Sequence, residues 1–276
     1  MKADDIKQIV REKYGEIAAQ GKPHSACSCC SPDSAAGVDY TIFSEDYSKL
    51  EGYNPDADLG LGCGIPTDSA GIKPGDTVID LGSGAGNDVF VARRLVGESG
   101  RVIGIDMTES MIERAWENNK KLGYQNVEFR FGEIENLPVA DNTADVAISN
   151  CVLNLVPDKL KAYQEICRVL KPGGHFSISD VVLTAALPAN LQAAAEMYAG
   201  CVAGALKKEE YLNIIRKAGF PSVAVVKEKT ISLSDEMLSP YLSEAELKEF
   251  KKSGPIILSI TVLGEKLKTT AYGCCG

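Results

Sequence analysis

Between residues 76 and 182, short apolar runs alternate with amphipathic stretches of helical period, and that alternation leaves few ways to fold. The runs TVIDL, RVIGID, VEFRFGE, ADVAISN and HFSISDVV are too short for helices and read as buried strands. Between them, DVFVARRLVG, SMIERAWENNKKLG and DKLKAYQEICRVL place apolar residues three and four apart, which gives each helix one face to bury. Strands and helices in strict alternation produce right-handed crossovers and a parallel sheet covered by helices on both faces. The sequence therefore predicts an α/β, Rossmann-like sheet over residues 71–182.

The flanks differ. Residues 3–19 predict an amphipathic helix stopped by Gly21 and Pro23, and residues 25–73 read as irregular, rich in Cys, Ser, Asp, Gly and Pro. An irregular stretch of this length is functional or disordered. Past residue 182 come an Ala-rich helix near 191–199, a helix in KKEEYLNIIRKAG, a strand in SVAVVKEK, a helix in SEAELKEFKKS and a strand in IILSITVLGEK. The expected division is thus a cysteine-bearing cap (1–70), a Rossmann-like domain (71–182) and a smaller α+β C-terminal region (183–276).

With 29 basic and 38 acidic side chains the net charge is −9, which argues against a nucleic-acid partner, because sequence-independent affinity for phosphate backbones comes from clustered Lys and Arg. No apolar run approaches the roughly 20 residues of a membrane helix, and the N-terminus MKADDIKQIVREKYG is charged rather than signal-like. The expectation is a cytoplasmic protein with no membrane contact, and nothing demands more than a monomer. Against two histidines stand nine cysteines, an odd number that cannot all pair within the chain. In a reducing compartment they read as ligands or reactive thiols.

The first strand runs into Asp80-Leu81-Gly82-Ser83-Gly84-Ala85-Gly86, at the strand-to-helix turn where parallel sheets bind ligands. Its glycines let a ligand approach the backbone, but Asn87 stands where a dinucleotide fingerprint has its third glycine. The second strand ends in Asp106, placed to accept from ribose hydroxyls, and the third is followed by Glu133-Ile134, near where an adenine amino group would lie. Together these read as an adenosine site without a pyrophosphate cradle. Asp80 with GSGAG, Asp106, GEIENLPVADNTAD and VLKPGGHFSISD resemble the class I S-adenosylmethionine-dependent methyltransferases over residues 71–182. The resemblance implies S-adenosylmethionine as cofactor, with Gly82, Gly84 and Gly86 along its methionine part, Asp106 on the ribose and Glu133 with Ile134 at the adenine. Asp80, Ser83, Met107 and Asn150 complete the expected cofactor set, although Asp80 also reads as a brace for the turn.

Three thiols lie in separate segments that point to one strand end. Cys151 follows the fourth strand in ISNCVLNLVPD, Cys63 sits in LGLGCGIP, and Cys201 in YAGCVAGA. Structural zinc usually takes four ligands, often in C-x-x-C pairs, which these three do not form. Soft thiolates select thiophilic centres, and trivalent arsenic takes three sulfurs while keeping a lone pair able to attack a sulfonium methyl. With LEGYNPDADLGLGCGIP, SNCVLNLVPDK and YAGCVAGALKKEEY, the chain closely resembles the arsenite S-adenosylmethionine methyltransferases over residues 38–265. That resemblance implies Cys63, Cys151 and Cys201 as arsenic ligands and arsenite or methylarsenite as substrate, for arsenic detoxification. It also implies a redox disulfide between Cys63 and one of Cys27, Cys29 and Cys30, with Cys30 or Cys29 favoured, renewed by thioredoxin or a small thiol. Two other readings stand beside it: a small-molecule C- or O-methyltransferase of the same fold, and a non-catalytic metalloid-binding thiol protein. Cys167 and Trp116 read as helix packing residues, His24 and His175 show no partner pattern, and the tail Cys274-Cys275, like the cluster Cys27, Cys29 and Cys30, reads as arsenite delivery, a metal site or a flexible end without function, the last no less than the first.

Overall fold

The computed structural model of the chain describes residues 3–20, 44–192, 202 and 204–268. Cys27, Cys29, Cys30, Cys201, Cys274 and Cys275, with His24, lie outside the described residues.

Five parallel strands form the body of the sheet: β1 (Thr77–Leu81), β2 (Arg101–Asp106), β3 (Val127–Phe131), β4 (Ala144–Asn150) and β5 (Leu170–Leu183). Two further strands, β6 (Ser222–Ile231) and β7 (Ile257–Glu265), extend the same sheet, so the order is β3-β2-β1-β4-β5-β7-β6 with β7 antiparallel to both neighbours. The α+β region beyond residue 183 therefore contributes its strands to the sheet that the first five began. Strand order reverses at β1, and the C-terminal ends of β1 and β4 flank the crevice there.

Side-chain alternation assigns the faces. Ile79 and Leu81 of β1 point into a cluster with Tyr163, Phe176, Tyr211 and Phe220, while Val78 points the other way, toward Val89, Phe90 and Phe129. Because helices cover both faces, β1 and β4 are buried over nearly their whole length. On the first face lie α5 (Lys159–Val169) and α7 (Lys208–Lys217); on the second, α3 (Asn87–Val96) and α4 (Glu109–Leu122). The N-terminal helix α1 (Ala3–Gln20) crosses α4 and a single 3-10 turn at Leu153–Leu155. Short helices α2 (Pro66–Ser69), α6 (Ala189–Gln192) and α8 (Asp235–Leu238), and the longer α9 (Glu244–Ser253), complete the described elements. The capping box of α9 pairs Ser243 with Glu246.

Three details differ from the sequence reading. β5 begins at Leu170 rather than His175, because KPGG forms an irregularity in the pairing with β4 instead of a break before the strand. The irregular stretch contains α2, and the apolar run after Cys151 turns as a 3-10 segment. Of the Ala-rich helix near 191–199, only Leu191 and Gln192 are among the described residues. No described helix is long and apolar enough to cross a membrane.

Candidate functional site

A cavity opens over the C-terminal ends of β1, β2 and β4, roofed by α1 through Lys7, Val10 and Tyr14. Its floor is the turn after β1. Gly82 and Ser83 both donate their N–H groups to Ile105 O, at 2.7 and 3.0 Å, which ties the turn to β2. The Gly84 N–H donates to Asp106 Oδ2 at 2.9 Å and the Thr108 N–H to Oδ1 at 2.8 Å, so Asp106 is fixed by backbone at the cavity wall. Burial pushes its carboxyl up, partly offset by those donors. Gly82, Ser83, Gly84, Asp80, Asp106, Met107, Glu133, Ile134 and Asn150, expected from the sequence, all line this cavity. Gly86 does not: with φ of +98° it caps α3, and a Cβ there would fall 2.9 Å from the Phe90 ring and 3.0 Å from the Phe129 ring. The lack of a side chain there permits close helix-to-strand packing.

The cavity has polar groups that await a partner. Ser83 Oγ and Asn87 Oδ1 are buried along its wall with no hydrogen bond among the described residues. Buried polar groups of this kind are normally satisfied, so they fit a ligand with its own donors and acceptors. Glu133 and Glu135 are held by Lys7, whose Nζ lies 2.7 Å from Glu133 Oε2 and 2.5 Å from Glu135 Oε2, and Arg11 adds a bond of 3.2 Å to Glu133. Helix α1 is thus fastened to the segment expected to frame the adenine.

At the inner end of the cavity lies a buried network that the sequence did not announce. Asn150, the last residue of β4, accepts from the Cys63 N–H at 2.9 Å and the Gly64 N–H at 3.3 Å through Oδ1. Its Nδ2 donates among Gly64 O at 2.8 Å, Tyr47 Oη at 2.8 Å and Asp88 Oδ2 at 3.1 Å. Tyr47 Oη in turn reaches Asp88 Oδ1 at 2.8 Å and Gly64 O at 3.0 Å. The loop carrying Cys63 therefore hangs on the residue that precedes Cys151. The approach is close: a Cβ at Gly62 would come within 2.4 Å of Asn150 Nδ2, so only glycine fits there. From the far side, Ser259 Oγ donates to Cys63 O at 2.5 Å.

Cys151 lies at the cavity wall with φ of +61°, outside the usual range for a residue with a side chain, and its N–H donates to Ser179 O at 2.7 Å. Cys63 and Cys151 are both buried in one apolar cluster with Leu155, Val181 and Leu183. Val202, adjacent to Cys201, belongs to the same cluster, although Cys201 itself lies outside the described residues. Cys167 sits elsewhere, against the cluster beneath α5, with its thiol pushed up by burial. Trp116 meets Phe129 edge to face at 5.6 Å, and His175 Nε2 lies 2.5 Å from Ala70 O.

Tyr47, Asp88 and Lys7 were not legible as site residues. Tyr47 lies in irregular chain without period, Lys7 on a helix whose pattern shows an apolar face but not what it covers, and Asp88 in a helical first turn, where an acidic residue needs no further reason.

Residues 72–219 match the family model described as "Methyltransferase domain". The chain is 40% identical over 264 residues to the arsenite methyltransferase of Halobacterium salinarum, covering 92% of this chain and 66% of that protein. It is 33% identical to the arsenite methyltransferase of Aquipseudomonas alcaligenes, covering 87% and 69%. Among solved structures it resembles an arsenic(III) S-adenosylmethionine methyltransferase from Chlamydomonas reinhardtii, with TM-score 0.65, 38% identity and coverage of 75% of this chain and 68% of that one. The chain thus spans about two thirds of the length of these two curated relatives.

Proposed function

The chain belongs to the arsenite methyltransferase family of class I S-adenosylmethionine-dependent methyltransferases, and from that premise we propose that it methylates trivalent arsenic held by Cys63, Cys151 and Cys201. The observation that carries this reading is the convergence of Cys63 and Cys151 in one buried cluster, at the end of a cavity lined by the glycine turn and Asp106. Val202 in that cluster supports Cys201 as the third ligand.

S-adenosylmethionine bound in the cavity supplies an electrophilic methyl group on a positively charged sulfur. Glu133 and Ile134 frame its adenine, Asp106 accepts from the ribose, and Gly82, Ser83 and Gly84 pass its methionine part, with Asp80 beneath the turn. Thiols load the substrate by exchange: arsenite gives up three hydroxyls as water while three Cys S–H groups become As–S bonds, with no net proton released. The pyramidal arsenic keeps its lone pair. That pair forms the As–C bond as the S–CH3 bond breaks with its electrons left on sulfur, so no general base is needed. The protein's contribution is position: Asn150 holds the Cys63 loop beside Cys151 at the donor end of the cavity.

Methyl transfer raises arsenic formally from the trivalent to the pentavalent state. Two electrons return it when the As–S bond to Cys63 breaks with its pair left on arsenic and the Cys63 sulfur joins that of an N-terminal cysteine, Cys30 or Cys29 ahead of Cys27, in a disulfide, the second thiol giving its proton to solvent. Thioredoxin or a small thiol then reduces that disulfide by exchange.

The test is incubation of purified protein with arsenite, radiolabelled S-adenosylmethionine and a thiol, followed by separation of arsenic species. Labelled methylarsenic is expected, and it should disappear in Cys151→Ser and Cys201→Ser while donor binding persists. Label on a different acceptor would favour a small-molecule methyltransferase, and bound arsenic without transfer a metalloid-binding protein. Full activity in both serine variants would overturn the ligand set.

A further inference from the structure

The described lining of the donor cavity carries seven carboxylates and one cation. That cation, Lys7, is spent between Glu133 and Glu135, and Glu45 at the rim is paired with Lys229. Asp80 and Asp88 are buried and Asp106 half-buried around the glycine turn, and no ion pair reaches any of them among the described residues. Their contacts are neutral donors: backbone N–H groups for Asp106, Asn150 and Tyr47 for Asp88. A buried carboxylate without a cation is costly, and a ligand that brings a positive charge relieves that cost.

The donor and its product differ in charge. S-adenosylmethionine carries a sulfonium that S-adenosylhomocysteine lacks, and the two molecules otherwise present the same adenosine and amino-acid groups. We infer that Asp88 makes the cavity discriminate between them, holding the cationic donor by charge and releasing that hold once the methyl group has left. The inference rests on reading this cavity as the donor site.

Asp88 is singled out among the three by position. Its carboxylate bonds to Asn150, the neighbour of Cys151, so it lies toward the end of the cavity where the methyl group is transferred. Burial raises its pKa, but Asn150 and Tyr47 hold it to about 6, so it is charged at neutral pH. Burial, with Asp88 and Asp106 nearby, pushes the Asp80 carboxyl well above the usual range. Asp58 and Asp68 also face Asp88 with like charge. When the S–CH3 bond breaks with its electron pair on sulfur, the positive charge passes to the methylated arsenic and the nucleoside becomes neutral. The attraction that held the donor is then gone from the product.

Isothermal titration of the full chain with each nucleoside, arsenite absent, tests this. In Asp88→Asn the donor should bind about three- to thirtyfold more weakly, as removal of one unit charge several ångströms away implies, while product affinity changes less than about twofold. The unsubstituted chain offers a second measurement that does not depend on the variant folding. The donor analogue sinefungin, with an amine cation in place of the sulfonium, should weaken with added salt as the donor does, and more than the product. Equal weakening of donor and product in Asp88→Asn, or an amine analogue that tracks the product, overturns the inference and leaves the donor site standing. Failure of the unsubstituted chain to bind either nucleoside overturns the donor-site reading and this inference with it.

Discussion

Asn150 joins the two thiol-bearing segments, and cutting that link has a calculable cost. Asn150→Ala removes bonds to the Cys63 and Gly64 N–H groups, to Gly64 O, to Tyr47 and to Asp88. A hydrogen bond to a charged group is worth about 1.5–3 kcal/mol and a neutral one about 1 kcal/mol. Five contacts do not simply add, because Nδ2 has two protons for three acceptors and Asn150 is only partly buried, so water recovers some of the loss. The expected destabilisation is about 2–4 kcal/mol. Tyr47→Phe removes the hydroxyl shared by Asp88, Gly64 and Asn150 and should cost about 1–2 kcal/mol. Since both residues hold the same carboxylate and the same carbonyl, the double variant should lose less than the sum, with a coupling of about 1 kcal/mol or more. Urea denaturation of the four proteins measures this cycle. Amide exchange at Cys63 and Gly64 provides the local readout and should accelerate by at least about tenfold in Asn150→Ala. Additivity within about 0.5 kcal/mol, or unchanged exchange at Cys63, would refute the view that Asn150 clamps the loop.

Asp180 is fully buried on β5, accepts from Tyr211 Oη at 2.9 Å, and burial raises its pKa to about 7 despite that bond and the nearby Lys159. The folded state thus holds a proton that the unfolded chain gives up near pH 4, so the stability from this group is complete below about pH 4 and is lost as pH rises through 7. Asp180→Asn should flatten that decline, as followed by urea midpoints from pH 5 to 8; an unchanged slope would show that Asp180 does not titrate there. Lys7→Met should cost about 1–2 kcal/mol by leaving the mostly buried Glu135 without its cation, and should expose α1 to limited proteolysis, whereas an uncut α1 would mean that the ion pairs do not fasten it. Cys167→Ala should lower stability by about 1 kcal/mol through a small void and leave arsenic methylation intact; loss of methylation would give this thiol a role that its place on the core-facing side of α5 does not suggest.

The parts of this fold readable in the sequence are those governed by local period. β1, β2 and β4 have the limits that their apolar runs set, and α5 starts at its Asp158 cap, whose side chain accepts from the Lys161 N–H. The insertion of β7 between β5 and β6 was not readable, since it depends on pairing between distant segments and leaves no mark in the period of either strand. The site divides the same way. Asp106 and the glycine turn follow from their positions at strand ends, whereas Tyr47 and Lys7 become site residues only when an irregular segment and a terminal helix fold back over the sheet. The displacement of Gly86 from the cavity has the same origin, because whether a turn glycine faces ligand or packing is settled by the Phe90 and Phe129 rings.

The place of β7 also sets the order in which the site can be assembled. Ser259, which bonds to Cys63 O, and Thr261, which bonds to Ser179, belong to the strand that pairs with the far half of β5. During synthesis β5 emerges long before β7, so a growing chain carries an open strand edge and a Cys63 loop with no brace behind it. Non-local pairings of this kind form late. The Cys63 loop is therefore finished only when the last strand closes the sheet, and a chain that has not yet added β7 carries both Cys63 and Cys151 without that closure.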